Sequence, residues 1–466
     1  MEELVQENGS GNHGVPRKKP KLSKKKNQSL SEIVRQEFAH NQRFSEIVRQ
    51  EFAHHDPNFA RVNNGSFGCC PATVLADLRR WHYQFLSQPD RFYHGPLQDG
   101  LRRSREAIAS LVNASHPDEI ALVDNATTAA AVVLHHIARS FSDGTFPKGD
   151  SVIMLHYAYG AVKQSVYAYC GSAGANIVEV EMPFPLTSNE EIISSFRKAL
   201  EEARSGGRKV RLAVIDHITS MPSVVIPVKQ LTEICREEGV DRVFIDAAHS
   251  IGNIDIDLQA IGADFYTSNL HKWFFCPPSV AFLYAKKSAS ADIHHLVVTH
   301  EYGKGLAVES AWVGNRDYSA QLVIPTIFEF LKKFDGGLEE IKKLNHEKVV
   351  AMGRMLAEAW GTGLGTSPEL SSSMIMVGLP AGLKIRSDKD AMRLRAHLRV
   401  NFEIEVPIYH VKDLISEDGK DCENLVTGYA RISHQIYNTL ADYHKLRDAI
   451  NKLVEDSITC EKLEVI

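Results

Sequence analysis

The sequence predicts an α/β chain with a mostly parallel central sheet in a large domain and a smaller α+β domain at the C-terminal end. Two observations point there. Largely apolar runs, Ser151 to Leu155, Val210 to Ile215 and Val243 to Ile245, each stop at a polar or acidic residue, His156, Asp216 and Asp246. Such runs read as parallel strands buried on both faces that deliver a side chain at their C-terminal edge, where open α/β sheets bind ligands. The second observation is length: 466 residues exceed one ordinary domain, so two unequal domains are expected.

Composition narrows the function classes. A hydrophobic share of 44% and a charged share of 24% are those of a globular protein. No apolar run approaches bilayer thickness, so no membrane span is expected. The formal net charge of −5 gives no whole-chain case for nucleic acid. Seven cysteines, Cys69, Cys70, Cys170, Cys235, Cys276, Cys422 and Cys460, show neither paired nor metal-type spacing, which favours reduced thiols and no metal. Adjacent Cys69 and Cys70 could close a disulfide only with strain, so a structural role is expected.

Taken in order, residues 1–55 form a polar extension expected to be disordered. Between Arg17 and Lys26 lie seven cations and no acid. That run reads as a solvated tail or a nuclear signal, and the acidic start is unlike a transit peptide, so cytoplasm or nucleus is the expected location. Nucleic-acid binding is expected nowhere outside this run. Ten identical residues occupy 31–40 and 45–54, a period of fourteen that would keep one helical face. The large domain is expected over 56–330 and the small one over 331–466. Arg61 to Pro71 is a turn-rich loop holding Asn64 and Ser66. Ala72 to Ala114 reads as mainly helical, with Trp81, Tyr83 and Phe85 as core aromatics. Val123 to Ala129 passes from a strand into a helix whose first turn holds Thr127 and Thr128, a seat for an anion at a helix start. His217 and Thr219 follow the strand ending at Asp216, on the same sheet edge.

The stretch from Val243 to Pro278 carries the chemistry. Asp246 ends one strand, and Lys272 follows the next in a polar loop with Asn269 and His271, aromatics close behind. Partial desolvation lowers a lysine pKa and exposes the neutral amine, which suits a Schiff-base lysine. Pyridoxal phosphate needs a carboxylate against its ring nitrogen, a need Asp246 would meet. Arg431, after a β-rich stretch, would present a planar fork to a substrate carboxylate.

Val123 to Ala129, Asp246 to His249, Ser268 to Trp273 and Arg431 to Asn438, in that order, resemble the class V aminotransferase family of pyridoxal phosphate enzymes, over roughly residues 56–460. The resemblance implies a fold type I homodimer. It also implies that His156 stacks on the cofactor ring, a role a one-residue offset would give to Tyr157. His249 would face the ring's phenolic oxygen, and Thr127, Thr128, Ser268 and His271 the phosphate. Asn64 and Ser66 would line the substrate mouth. Asn315, in a loop that resembles a dimer-crossing segment, would reach the partner's phosphate.

Within the family the likeness is strongest to plant L-cysteine desulfhydrases, which implies a carbon–sulfur lyase acting on L-cysteine to give sulfide, pyruvate and ammonia. Lys272 would take the Cα proton as general base. The rival is a cysteine desulfurase using Cys422, whose acidic neighbours disfavour a thiolate. Another amino-acid lyase or epimerase, and a nuclear scaffold protein, are further alternatives.

Overall fold

The computed structural model describes residues 42–411 and 426–463. The basic run, the first copy of the repeat and Cys422 lie outside the described residues. The chain divides into two compact units, residues 1–46 and 47–466, and every sheet belongs to the second.

The large sheet has seven strands: β1 (Ile120–Val123), β2 (Ser151–Leu155), β3 (Asn176–Val180), β4 (Val210–Asp216), β5 (Arg242–Asp246), β6 (Phe265–Asn269) and β7 (Ala281–Ala285). Their order is β1-β7-β6-β5-β4-β2-β3. The pairs β2/β3, β2/β4, β4/β5 and β5/β6 are parallel, and β7 is antiparallel to both of its neighbours. Strands β2, β4 and β5 are apolar along most of their length because helices cover both faces. Helix α1 (Ala126–Ser142) buries Ala129, Val133, Ile137 and Phe141 on the sheet, into one core with Val152, Val214 and Phe244.

The C-terminal layer is a three-stranded antiparallel sheet of β8 (Met374–Gly378), β9 (Ile408–His410) and β10 (Gly428–Ser433), in the order β9-β10-β8. Long helices Gly337–Trp360, Asp388–Phe402 and Leu440–Glu455 pack with it around Ile375, Ile432, Tyr443 and Ile450. Ala60–Arg61 pairs in parallel with Ile404–Glu405, so Ala60 and Val62 enter this core before the chain reaches the large sheet. The helical stretch after Ala72 is present, as Ala72–Ser87 and Gln98–Leu111. Its aromatics do not all go inside: Trp81 is buried, whereas Tyr83 is 73% exposed, because the two residues lie two apart and face different sides of the helix.

Candidate active site

Parallel register puts Asp216 of β4 directly beside Asp246 of β5, with Thr267 of β6 next in line. The two buried carboxylates therefore leave the sheet at one edge. β6 ends at Asn269, and the residues expected as a polar loop form a short helical turn, α2 (Leu270–Trp273), which carries Lys272. Two glycines let backbone press against that turn. The Gly68 N–H donates to the His271 carbonyl at 3.1 Å, and a Cβ there would lie 2.1 Å from the Lys272 oxygen. Gly252 has φ +81°, and its Cβ would meet the Trp273 carbonyl at 2.6 Å. The lysine is clamped from both sides.

A cavity of about 350 Å³ opens onto Lys272, with Asp216, Asp246 and His249 on the sheet edge, Thr127 at the start of α1 and Arg431 across from them. Burial, with the Arg431 charge and against that of Asp246, lowers the Lys272 amine to about 8. Burial raises Asp246, against the Ala248 N–H at 3.1 Å from its Oδ1 and the charge of Lys272. Asp216 is raised well above the usual carboxylate range, first by burial and then by the charge of Asp246, and its Oδ2 has no hydrogen-bond partner. Burial and the Lys272 charge hold His249 neutral. The Trp273 indole N–H donates to His249 Nδ1 at 3.3 Å, which leaves the ring hydrogen on Nε2. That atom sits 3.3 Å from Lys272 Nζ, where the imidazole donates to the lone pair of the amine in its neutral form.

The anion seat is built by capping. Asn125 Oδ1 accepts from the Thr128 N–H at 2.8 Å, and Asn269 Oδ1 accepts from the Ala126 N–H at 2.8 Å, so Asn269 ties β6 to the start of α1. His271 donates through Nδ1 to the Val280 carbonyl at 3.1 Å and lines the cavity. At the far wall, Arg431 is buried on β10. Its Nη1 donates to the Ser220 carbonyl (3.0 Å) and hydroxyl (2.8 Å), and its Nη2 to Asn63 Oδ1 (3.1 Å) and Ser66 Oγ (3.0 Å). All four acceptors are neutral, and among the described residues no ion pair engages this guanidinium. Its charge stands uncompensated beside the cavity, a setting that favours an anion.

Lys272, Asp246, His249, Thr127, His271, Ser66 and Arg431 thus come together around one cavity. Other expectations need correction. His156 does not line the cavity: its Nδ1 accepts from the Met182 N–H at 3.1 Å, which holds the ring toward the segment after β3. Tyr157 does not line it either; the aromatic that does is Tyr159, set by the helix beginning at Gly160. Thr128 spends its N–H and hydroxyl on Asn125, and Ser268 donates to the Ala247 carbonyl while accepting from the Ile251 N–H at 3.0 Å. Neither hydroxyl faces the cavity. Asn64 is also used up, donating to Asn438 Oδ1 at 2.7 Å and accepting from the Tyr437 hydroxyl at 2.9 Å, so it anchors the C-terminal string and does not contact the cavity. His217 bonds Tyr266 at 2.8 Å and Thr219 bonds the Val224 N–H at 2.9 Å. Asn315 is exposed, outside this chain's cavity. Residues missed in the sequence are Asp216 as a cavity carboxylate, Tyr159, Ser220, Tyr409 and Arg395, the last held by Glu405 at 2.9 Å. The strand ending at Asp216 was the available signal for the first.

The Aminotransferase class-V family model matches residues 69–316. A rice protein (Oryza sativa subsp. japonica) with the provisional name L-cysteine desulfhydrase 1 is 62% identical over 414 residues, covering 88% of this chain and 86% of its own. The L-cysteine desulfhydrase of Arabidopsis thaliana is 52% identical over 460 residues, 98% of this chain and 97% of its own. Among solved structures, the cysteine desulfurase of Thermococcus onnurineus NA1 shares the fold, with a TM-score of 0.66 at 16% identity over 88% of this chain and 98% of that one. This chain belongs to the class V aminotransferase family, whose fold type I architecture it has and whose cofactor is pyridoxal phosphate.

Proposed function

We propose that this chain is a pyridoxal phosphate-dependent carbon–sulfur lyase that converts L-cysteine and water into sulfide, pyruvate and ammonia. The names of its relatives support the reaction. The observation that carries the reading is a depressed-pKa amine, Lys272, in one cavity with two buried carboxylates and an uncompensated guanidinium. The residues fit the cofactor: the partnerless oxygen of Asp216 and the buried Asp246 call for a cationic hydrogen-bond donor, and the start of α1 for an anion. Asp246, whose charge Lys272 favours against the effect of burial, would be the ionised partner of the ring nitrogen, and Asp216, raised further, the proton-bearing one. His249 would face the ring's phenolic oxygen, Tyr159 the ring, and Thr127 and His271 the phosphate.

When bound, pyridoxal phosphate supplies an electron sink for charge at Cα. Lys272 would anchor it covalently and, once freed by the amino acid, hold the Cα proton on its amine, with His249 Nε2 3.3 Å away to steady that nitrogen. Arg431 would grip the substrate carboxylate through its fork by exchanging its neutral acceptors, the Ser66 and Ser220 hydroxyls, for the anion, orienting Cα toward Lys272. Sulfide leaves from Cβ.

Product analysis tests the reaction. Purified protein given L-cysteine should release sulfide and pyruvate one for one, and Cys422→Ala should do so as fast as the native sequence. Alanine as the main product, abolished by Cys422→Ala, would replace this reading with that of a desulfurase. Borohydride should fix the cofactor on the peptide holding Lys272. The proposal includes a homodimer, with Asn315 reaching the partner's phosphate. Among the described residues no helix is long and apolar enough to cross a membrane. A nuclear address would rest on Arg17 to Lys26 alone.

A further inference from the structure

We propose that His54, His55 and Cys69 form a zinc site with one open coordination position, beside the loop that backs Lys272. The ligand atoms of the three residues all lie within 4.8 Å of one another. Cys69 Sγ is 2.6 Å from His55 Nε2 and 3.7 Å from His54 Nε2. Bond lengths of about 2.3 Å to sulfur and about 2.0 Å to nitrogen place tetrahedral ligands about 3.5 Å apart. The His54 separation fits as it stands, and His55 needs to open by about an ångström, within reach of a small side-chain rotation. Two imidazoles and a thiol are a borderline-soft set that suits zinc and leaves the fourth position to water or an exchangeable thiol.

The donors are held by the core. Glu51 accepts from the Thr73 N–H at 2.9 Å, and Phe52 is buried against Phe275, Phe330 and Tyr437. The His55 N–H donates to the Phe52 carbonyl at 3.0 Å, and its ring meets Tyr437 edge-on at 4.6 Å. Cys69 follows Gly68, which is bonded to the His271 carbonyl. A metal here would therefore join the turn at 52–55 to the loop that presses on α2. Arg61, whose Nη2 donates to the Gly68 carbonyl at 3.0 Å, opposes the cation; burial raises the Cys69 thiol and the Arg61 charge offsets this in part, so metal binding has to displace the thiol proton. Sequence supplies a separate hint: of the two repeat copies, ending at His40 and His54, only the second is followed by another histidine, the first running on to Asn41.

The cofactor-loaded full chain, incubated with zinc sulfate and passed over a desalting column, should retain about one zinc per chain. X-ray absorption should show one sulfur and two imidazole nitrogens in its first shell. Cys69→Ser and the pair His54→Gln, His55→Gln should each fall below about 0.1 zinc per chain, with the bound cofactor's absorption and the circular dichroism unchanged to show that the fold persists. A chelator should lower the melting temperature of the zinc-loaded native sequence by several degrees and leave Cys69→Ser unmoved. No retained zinc, a shell without sulfur, or zinc kept by Cys69→Ser would overturn the site. None of these readouts depends on which amino acid the enzyme consumes.

Discussion

At Lys272 the amine titrates near 8 where a solvated lysine titrates near 10.5. In cofactor-free protein the neutral fraction should therefore climb about tenfold per pH unit up to about 8 and then level off. Acylation of Lys272 by an uncharged reagent, followed by peptide mapping, should inflect near pH 8, and an inflection near 10.5 would remove the desolvation argument. The sign for stability follows. The folded pKa lies below the unfolded one, so between about 8 and 10.5 the unfolded chain holds more protons, and this group's destabilisation, complete below 8, fades as pH rises through that window. Arg431 acts at a different step. Arg431→Lys loses the two-pronged grip, and charge-assisted bonds worth about 1.5–3 kcal/mol correspond to a rise in KM for cysteine of about 10- to 100-fold. An unchanged KM would mean that the guanidinium does not hold the substrate.

The loop at 61–71 and the turn α2 work as one element because Gly68 allows backbone to touch backbone. Gly68→Ala would drive a methyl to 2.1 Å from the Lys272 carbonyl, and a clash against main chain has no flexible side chain to absorb it. We expect a loss of about 2 kcal/mol or more, seen as a lower melting temperature, with reduced cofactor retention. The same scale explains what was legible in the sequence. β4 and β5 were, because largely apolar runs ending in aspartate have few other readings, and with them came Asp246 and the positions of Lys272 and Arg431. Which hydroxyl or amide faces the cavity was not. Thr128, Ser268 and Asn64 carry suitable donors, but a string does not show that the chain's own carbonyls and amides consume them. His156 failed for a related reason: at a junction from strand to helix a shift of three residues changes which ring faces inward, and Tyr159 is the one that does. His54, His55 and Cys69 were invisible because fourteen residues separate His55 from Cys69 and only tertiary packing closes the gap.

For the molecule as a whole, the arrangement places every proposed catalytic group of one chain in one cavity while leaving Asn315 outside it, which is the pattern expected if a second copy completes the phosphate seat. The surface near that loop is apolar. Val297 and Val298 are 50% and 73% exposed, and with Trp312 and Val313 they border a cavity of about 330 Å³. Burying these valines against a partner removes apolar area from water, and a carboxylate in their place would have to be desolvated without a counter-ion. Val298→Asp should therefore shift sedimentation from dimer toward monomer with the circular dichroism of the chain unchanged, since the side chain touches solvent within one copy. Cofactor retention should weaken in parallel, because the proposed Asn315 contact would cross the interface, and Asn315→Ala should weaken retention while leaving the dimer intact. A native sequence that sediments as a monomer with full activity would refute the shared seat and leave the cavity around Lys272 to work alone.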